Sequence, residues 1–233
     1  MPTPERTDGA SFPKMKQLRD VLPMELQNVA DLIPSVLLTP IEDLLSRPKK
    51  NLRGRLVELG FEFAGGDRTI REGAEVCAKC VDILEMLHAG SLVIDDIQDG
   101  SLLRRGSPAL HERYGLPIAL NAGNWLYFWP LEIVRTLGLP AEREVQIYRA
   151  YHRTMMRAHV GQALDVGTPI DQLATDRVYD LCLASLQLKT GTLTANNSGL
   201  RVARSLSNSR HGFARVYHSM LREDEIARVR CHR

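Results

Sequence analysis

The chain has 233 residues, of which 44% are hydrophobic and 25% charged, and its mean hydropathy is −0.19. These values are typical of one sizeable globular domain and exclude collagen-like, disulfide-scaffold and fully disordered chains. Four cysteines are too few for a disulfide framework, and Cys77 and Cys80 lack the additional ligands that a zinc site needs. The polar segment 1–13 has no apolar stretch, so we expect no secretory signal and a cytoplasmic protein.

The net charge of +2 is unevenly distributed along the chain. Residues 201–233 contain eight Arg and three acidic residues, a local charge of +5, which leaves −3 for residues 1–200. A nucleic-acid role requires a basic face with a supporting motif, and residues 1–200 offer none. The most apolar stretch, 116–134, holds two asparagines, two prolines and a glutamate, and therefore predicts a buried helix and no transmembrane segment.

The predicted organisation has three parts. Residues 1–19 resemble a disordered lead-in, residues 20–200 a helical domain, and residues 201–233 an atypical basic tail. No alternating strand pattern and no internal repeat is found in the sequence. We therefore expect an all-α bundle.

Within the helical domain, the clearest pattern begins after the capping residues Asp67 and Thr69. Apolar residues then recur every three or four positions from Ile70 to Leu92, which predicts a long helix. Gly100 and the segment that follows it end this helix. Three further helical patterns are predicted, over 116–137, 141–165 and 171–194.

An acidic cluster at the end of the long helix carries the most information about function. Asp95 and Asp99 are one turn apart, so their carboxylates lie on one face, where like charges repel unless cations bind there. Carboxylates without His or thiolate ligands favour Mg²⁺, with Mn²⁺ as the alternative, and Mg²⁺ usually completes its coordination with substrate phosphates. Arg104 and Arg105 follow and offer planar groups suited to phosphate oxygens. Together these residues predict a diphosphate site.

Other interpretations of this cluster differ in how well they fit its residues. A calcium loop that starts at Asp95 is excluded, because Ile97 and Gly106 occupy its third and twelfth positions. If only the acidic residues are considered, they could also mark a helix end that is exposed to solvent, and this alternative stays open. A two-aspartate acid–base pair also stays open, although it leaves the paired arginines unexplained.

Segment 85–99, together with Leu-Arg-Arg-Gly at 103–106 and Tyr-Gly-Leu-Pro at 114–117, resembles the trans-isoprenyl diphosphate synthases, the polyprenyl synthetase family. The likeness is strongest to geranylgeranyl diphosphate synthases of animal and fungal type and runs from about Pro40 to Ala195. It implies an isoprenoid-synthase-type helical bundle that condenses an allylic diphosphate with isopentenyl diphosphate. It also implies a homodimer, formed through helices near 116–137.

The resemblance implies a role for individual residues in binding isopentenyl diphosphate. The residues that would hold its diphosphate are Lys50, Arg53, His88 and Arg105. Lys49 stands where the family has glycine. His88 lies two helical turns before Asp95 and so shares its face, although a hydrogen-bonded core histidine is the alternative interpretation.

The resemblance also implies the residues of the metal and allylic sites. Asp95 and Asp99 would bind Mg²⁺, with Asp96 orienting them. The residues expected at the allylic diphosphate and the cavity around it are Arg104, Lys189, Thr190 and Gln162, with Asp165. The expected catalytic residues are Asp95, Asp99, Arg104 and Lys189. Small residues one turn before Asp95, Gly90 and Ser91, favour a twenty-carbon product, and the aromatic stretch 125–129 is expected to serve helix packing.

One departure from the family pattern concerns the end of the chain. The family has a second aspartate-rich motif after Lys-Thr-Gly, whereas the acidic residues after Ala195 are Glu223, Asp224 and Glu225. We therefore expect a bundle incomplete at its C-terminus, with weak or absent catalysis. The alternatives are a non-catalytic partner subunit of a full-length synthase and a metal-dependent terpene cyclase. Lys50, Arg53 and His88 disfavour the cyclase, which has no isopentenyl diphosphate to bind.

Overall fold

The computed structural model describes residues 28–49 and 51–191. The predicted lead-in 1–19, the basic tail 201–233 and Lys50 lie outside these residues. The described chain divides into two compact units. The first contains residues 28–49, 51–54 and 81–140, and the second contains residues 55–80 and 141–191.

The described residues are mainly helical, which confirms the predicted all-α fold. A π-helical turn, Pro34–Leu38, continues into the first helix. The helices are α1 (Thr39–Ser46), α2 (Leu52–Phe63), α3 (Arg71–Asp99), α4 (Leu110–Tyr114), α5 (Leu116–Arg135), α6 (Ala141–Gly167) and α7 (Thr175–Leu186). A 3₁₀ turn, Ile170–Gln172, precedes α7, and a π-helical turn, Gln187–Gly191, follows it. The sequence predicts one helix over 171–194, of which the two turns cover 171–172 and 187–191, and residues 192–194 lie outside the description.

The long helix α3 begins where the sequence predicts it. Asp67 accepts hydrogen bonds from the backbone N–H and the hydroxyl of Thr69, at 2.8 and 2.6 Å, and so forms the turn that precedes the helix. The stretch from Val81 to Leu87 is buried on every side, as expected for a helix in the core. The helix continues to Asp99 and therefore carries both predicted metal ligands on consecutive turns.

A small β-hairpin differs from the prediction that the chain has no strands. Strand β1 (Leu103–Arg104) pairs antiparallel with β2 (Ser107–Pro108). Strands of two residues are too short to show an alternating pattern in the sequence, which is why the prediction missed them. Arg105 and Gly106 form the two-residue turn with φ values of 54° and 78°. Positive φ at both positions is typical of a type I′ hairpin turn.

In the first unit, α3 and α5 approach closely at a pair of glycines. A Cβ atom on Gly90 would lie 2.9 Å from the carbonyl oxygen of Gly123. The buried residues of α5 include Ala119, Ala122, Leu126 and Ile133, in agreement with the prediction of a buried helix. None of the described helices combines the length and the apolar character needed to cross a bilayer.

In the second unit, α6 packs against α7 and the π-helical turn that follows it. Gly161 permits this approach, because a Cβ atom there would lie 2.5 Å from the backbone nitrogen of Lys189. The Ser185 hydroxyl donates a hydrogen bond to the Gly161 carbonyl at 3.4 Å. The packing therefore places the Lys-Thr-Gly segment beside the C-terminal part of α6.

Candidate active site

The three aspartates at the end of α3 have different surroundings. Asp96 is buried, with 2% of its surface exposed, whereas Asp95 is half-buried and Asp99 is exposed. Consecutive positions on a helix point in different directions, so Asp96 faces the protein while the other two share another face. Asp95 and Asp99 are thus the carboxylates nearer to solvent.

Asp96 is engaged by Arg104 from the hairpin. The Nε of Arg104 donates to the two carboxylate oxygens of Asp96 at 2.8 and 3.1 Å, and its Nη2 also donates to Oδ1. This hydrogen bonding, with the nearby charges of Asp95 and Asp99, raises the pKa of Arg104 above its usual range. The pair fixes the plane of the guanidinium group and engages Asp96 with an arginine rather than with a metal ion.

The remaining carboxylates of the cluster suit a metal ion that brings some of its own ligands. Among the described residues there is no group of three or more His, Cys, Asp or Glu side chains arranged to hold a metal. Mg²⁺ is commonly bound through one or two carboxylates, with waters and substrate phosphates completing its shell. The donor set of Asp95 and Asp99 fits this arrangement, and it does not form a complete protein cage.

Cations gather around His88, two turns before Asp95 on α3. Burial and the charges of Arg53, Arg105, Arg104 and Lys49 lower the pKa of His88 to about 3. The imidazole is therefore neutral at physiological pH and could offer a phosphate a hydrogen bond but no charge. The structure brings together three of the four residues predicted to bind isopentenyl diphosphate, and the fourth, Lys50, lies outside the described residues.

Sequence reasoning missed an ion pair within this cationic cluster. Lys49 Nζ donates to Glu85 Oε2 at 2.6 Å, and Glu85 is buried whereas 25% of the Lys49 side chain is exposed. Burial lowers the pKa of Arg53 and of Arg105, and the charge of Glu85 opposes this effect at both residues. Glu85 precedes His88 by three residues, a spacing that places both on one helix face and could have indicated its involvement.

Tyr127 of α5 is a second residue that the sequence did not point to. A Cβ atom on Gly90 would lie 3.3 Å from the Tyr127 ring. Burial and the charge of Asp95 raise the pKa of Tyr127 to about 12, so its hydroxyl stays protonated. A bulky ring therefore lies beside Gly90, one turn before Asp95. The sequence around Asp95 does not reveal it, because the ring belongs to a different helix. Its neighbours Trp125 and Trp129 stack with ring centroids 5.9 Å apart, which agrees with a packing role.

The second unit holds the other predicted site residues. Lys189 Nζ donates to Asp165 Oδ2 at 2.9 Å, and both side chains are partly exposed. Gln162 is half-buried on α6, and Thr190 belongs to the π-helical turn, although its side chain is outside the description. The structure therefore joins the Lys-Thr-Gly segment to the Gly-Gln-x-x-Asp pattern through one ion pair.

The described helices have the fold of the isoprenoid synthases, as comparison with solved structures shows. The geranyltransferase from Legionella pneumophila is similar, with a TM-score of 0.63 and 21% sequence identity over 89% of this chain and 72% of that chain. Such a likeness establishes the fold alone. The family model described as polyprenyl synthetase matches residues 34–221, and the chain belongs to this family. The match continues past Ala195, where the sequence resemblance was expected to end.

Two fungal relatives make the family assignment more specific. The chain is 35% identical over 130 residues to the geranylgeranyl pyrophosphate synthase of Eremothecium gossypii, an alignment that covers 54% of this chain and 38% of the relative. It is 37% identical over 131 residues to geranylgeranyl pyrophosphate synthase 2 of Zymoseptoria tritici, over 56% of this chain and 36% of the relative. The chain thus spans less than two fifths of the length of either relative. The activity of these relatives is therefore only proposed for this chain, in the next subsection.

Proposed function

We propose that the protein is a prenyltransferase that condenses an allylic diphosphate with isopentenyl diphosphate, toward geranylgeranyl diphosphate. The observation that carries the proposal is the cluster of Arg53, His88 and Arg105 beside the acidic end of α3. Reaction between two diphosphates requires both acidic residues for a metal and basic residues for phosphate oxygens. The first unit supplies both within one compact region.

At the allylic diphosphate, Asp95 and Asp99 would hold Mg²⁺, with Mn²⁺ as a substitute. The bound ion would neutralise the negative charge that grows on the diphosphate as its C–O bond breaks. Arg104, aligned by Asp96, would add a second positive group at the same oxygens. Lys189, Thr190 and Gln162 are proposed for this substrate from the family resemblance.

At isopentenyl diphosphate, Lys50, Arg53 and Arg105 would neutralise the diphosphate, and neutral His88 would add a hydrogen bond. The double bond then attacks the allylic carbocation, and the departing pyrophosphate accepts the proton that is lost. The packing of α5 fills the space beside Gly90, so Ser91 is the small residue that would leave room for the growing chain. We propose a twenty-carbon product on this basis.

We further propose that the protein acts as a homodimer in the cytoplasm. Leu116, Leu120 and Phe128 lie on one face of α5 and are 52%, 43% and 67% exposed. Such an apolar stripe suits a second copy of this helix. Sedimentation of the purified chain tests this: a monomer at micromolar concentration would contradict it, and recruitment of a full-length synthase would identify a heteromer.

A second candidate function is a non-catalytic partner subunit of a full-length synthase. It is favoured by a sequence in which the first acidic motif is intact but the acidic residues after Ala195 are limited to positions 223–225. A metal-dependent terpene cyclase is disfavoured, because it has no use for the cations around His88.

The deciding experiment combines catalysis and binding. Purified protein is incubated with Mg²⁺, an allylic diphosphate and labelled isopentenyl diphosphate, and prenyl products are extracted. In parallel, calorimetry measures Mg²⁺-dependent binding of an allylic thiodiphosphate that cannot ionise, with Asp95→Asn as the control. Product formation supports the prenyltransferase, whereas binding without product favours the partner subunit. Equal heats for wild type and Asp95→Asn would contradict the whole proposal.

A further inference from the structure

The hairpin that carries Arg104 and Arg105 has an unfavourable backbone conformation. Arg105, at φ 54°, is the one non-glycine residue with positive φ in the described part of the chain. The left-handed region costs an ordinary residue roughly 1–2 kcal/mol, and it persists where surrounding contacts hold it. The turn therefore depends on support from elsewhere in the first unit.

Arg47, just after α1, provides such support. Its side chain is 4% exposed, and its Nε and Nη2 donate to the carboxylate of Asp43 at 3.3 and 2.9 Å. Its remaining terminal nitrogen, Nη1, donates to the carbonyl oxygen of Arg104 at 3.1 Å. One buried guanidinium group thus links the end of α1 to the strand that precedes the arginine turn.

The same end of α1 also contacts the next arginine. Nη1 of Arg105 reaches the carbonyl oxygen of Leu44 at 3.5 Å. The Leu44 carbonyl also accepts the backbone N–H of Arg47 at 3.4 Å, and the partial negative charge at the end of a helix makes a guanidinium group favourable there. The end of α1 therefore contacts the backbone of Arg104 and the side chain of Arg105.

Asp43 keeps Arg47 in place. Burial by itself would raise the pKa of Asp43, but the hydrogen bond and charge of Arg47, with those of Tyr114 and Arg113, lower it below the usual value. The carboxylate is thus ionised at neutral pH. Arg113 Nη1 also donates to Asp43 Oδ2 at 3.2 Å, and this bond does not involve the hairpin.

We propose that Arg47 is a positioning residue for diphosphate binding. By holding the Arg104 carbonyl, Arg47 keeps the strained turn in one conformation. In that conformation the guanidinium group of Arg104 points toward the acidic end of α3, and that of Arg105 lies near His88. In this role Arg47 and Asp43 act through the hairpin and not through a contact of their own with the diphosphate. This inference rests on the proposed function, because it concerns the affinity of the same site.

The experiment compares Arg47→Leu with Arg113→Leu in the full chain. Each variant removes one partner of Asp43, but Arg47→Leu alone also removes the contact with the hairpin. Calorimetry with isopentenyl diphosphate, and separately with inorganic pyrophosphate, measures affinity. We expect Arg47→Leu to weaken binding about tenfold, equivalent to about 1.4 kcal/mol. Arg113→Leu should stay within about twofold of wild type, even where the two variants lose similar thermal stability.

Arg47→Lys provides the conservative variant and decides the matter if Arg47→Leu does not fold. Lysine retains the charge but lacks the separate nitrogens with which Arg47 binds both Asp43 oxygens and the Arg104 carbonyl, so an affinity between wild type and Arg47→Leu is expected. Wild-type affinity in a folded Arg47→Leu or Arg47→Lys protein would overturn the role of Arg47. Absence of diphosphate binding by the wild type would instead overturn the proposed function and the inference that rests on it.

Discussion

Two ion pairs, one in each unit, join an acidic residue to a predicted substrate-binding base. The Asp96 and Arg104 side chains are 3% and 27% exposed, whereas those of Asp165 and Lys189 are 51% and 31% exposed. A buried pair is protected from water and salt, so breaking it leaves an uncompensated charge. An exposed pair contributes little and exchanges readily for another partner.

The difference in burial gives Arg104 and Lys189 different freedom to change partners. Arg104 is held in one orientation by a carboxylate that water hardly reaches. Lys189 has a partner that an incoming phosphate oxygen could displace at small cost. An ion pair between a basic residue and an aspartate therefore fixes the orientation of a side chain in the first unit. In the second unit, a similar ion pair leaves its lysine able to exchange partners.

The largest effect is expected from breaking the buried pair. Arg104→Leu should lower the free energy of unfolding by about 3–5 kcal/mol, because Asp96 would be left buried without its base. Adding Asp96→Asn should recover part of the loss, since the uncompensated charge is removed. Urea denaturation of the two single variants and the double variant measures this. A loss below about 1 kcal/mol for Arg104→Leu would show that the pair is no stronger than a surface one.

A second effect concerns the cations around His88. Its pKa of about 3 in the folded protein lies below the usual value of 6.5, so the unfolded chain binds a proton that the folded chain does not. Stability should therefore fall as pH drops below about 6.5, by about 2 kcal/mol at most between pH 7 and pH 5. His88→Gln should lack this component. Unfolding curves for both proteins at the two pH values test it, and identical pH dependence would contradict the depressed pKa.

A third loss of stability is expected where α3 and α5 approach closely at Gly90. Gly90→Ala should destabilise the protein by about 1–3 kcal/mol, because the new Cβ would lie 2.9 Å from a backbone carbonyl. Gly167→Ala is the matched control, since a Cβ there meets nothing within 4 Å. Thermal unfolding measures both variants. Equal stability of the two would mean that the helices separate easily at Gly90.

The smallest effect on stability is expected in the second unit. Lys189→Met should change the free energy of unfolding by less than about 1 kcal/mol, because its ion pair is exposed. Under the proposed function, the same variant should weaken binding of the allylic thiodiphosphate measured by calorimetry. A large loss of stability would remove the contrast between the two pairs, and unchanged binding would argue against a substrate role for Lys189.

Much of the first unit could be predicted because the information is local. Periodicity over 70–92 indicated the long helix, and a spacing of four placed Asp95 and Asp99 on one face. The same stretch of sequence also shows the adjacent arginines at 104 and 105 and the spacing of seven residues between His88 and Asp95. Such features depend on helix geometry, which is the same in every protein.

Only the tertiary structure decided which charges meet. The contacts of Lys49 with Glu85, and of Arg47 with the Arg104 carbonyl, join residues 36 and 57 positions apart. Tyr127 reaches Gly90 from another helix, and the hairpin is too short to leave a pattern. Helical spacing specifies which side chains share a face, but not what that face packs against. Burial, and with it the strength of every ion pair, is set by packing between distant segments.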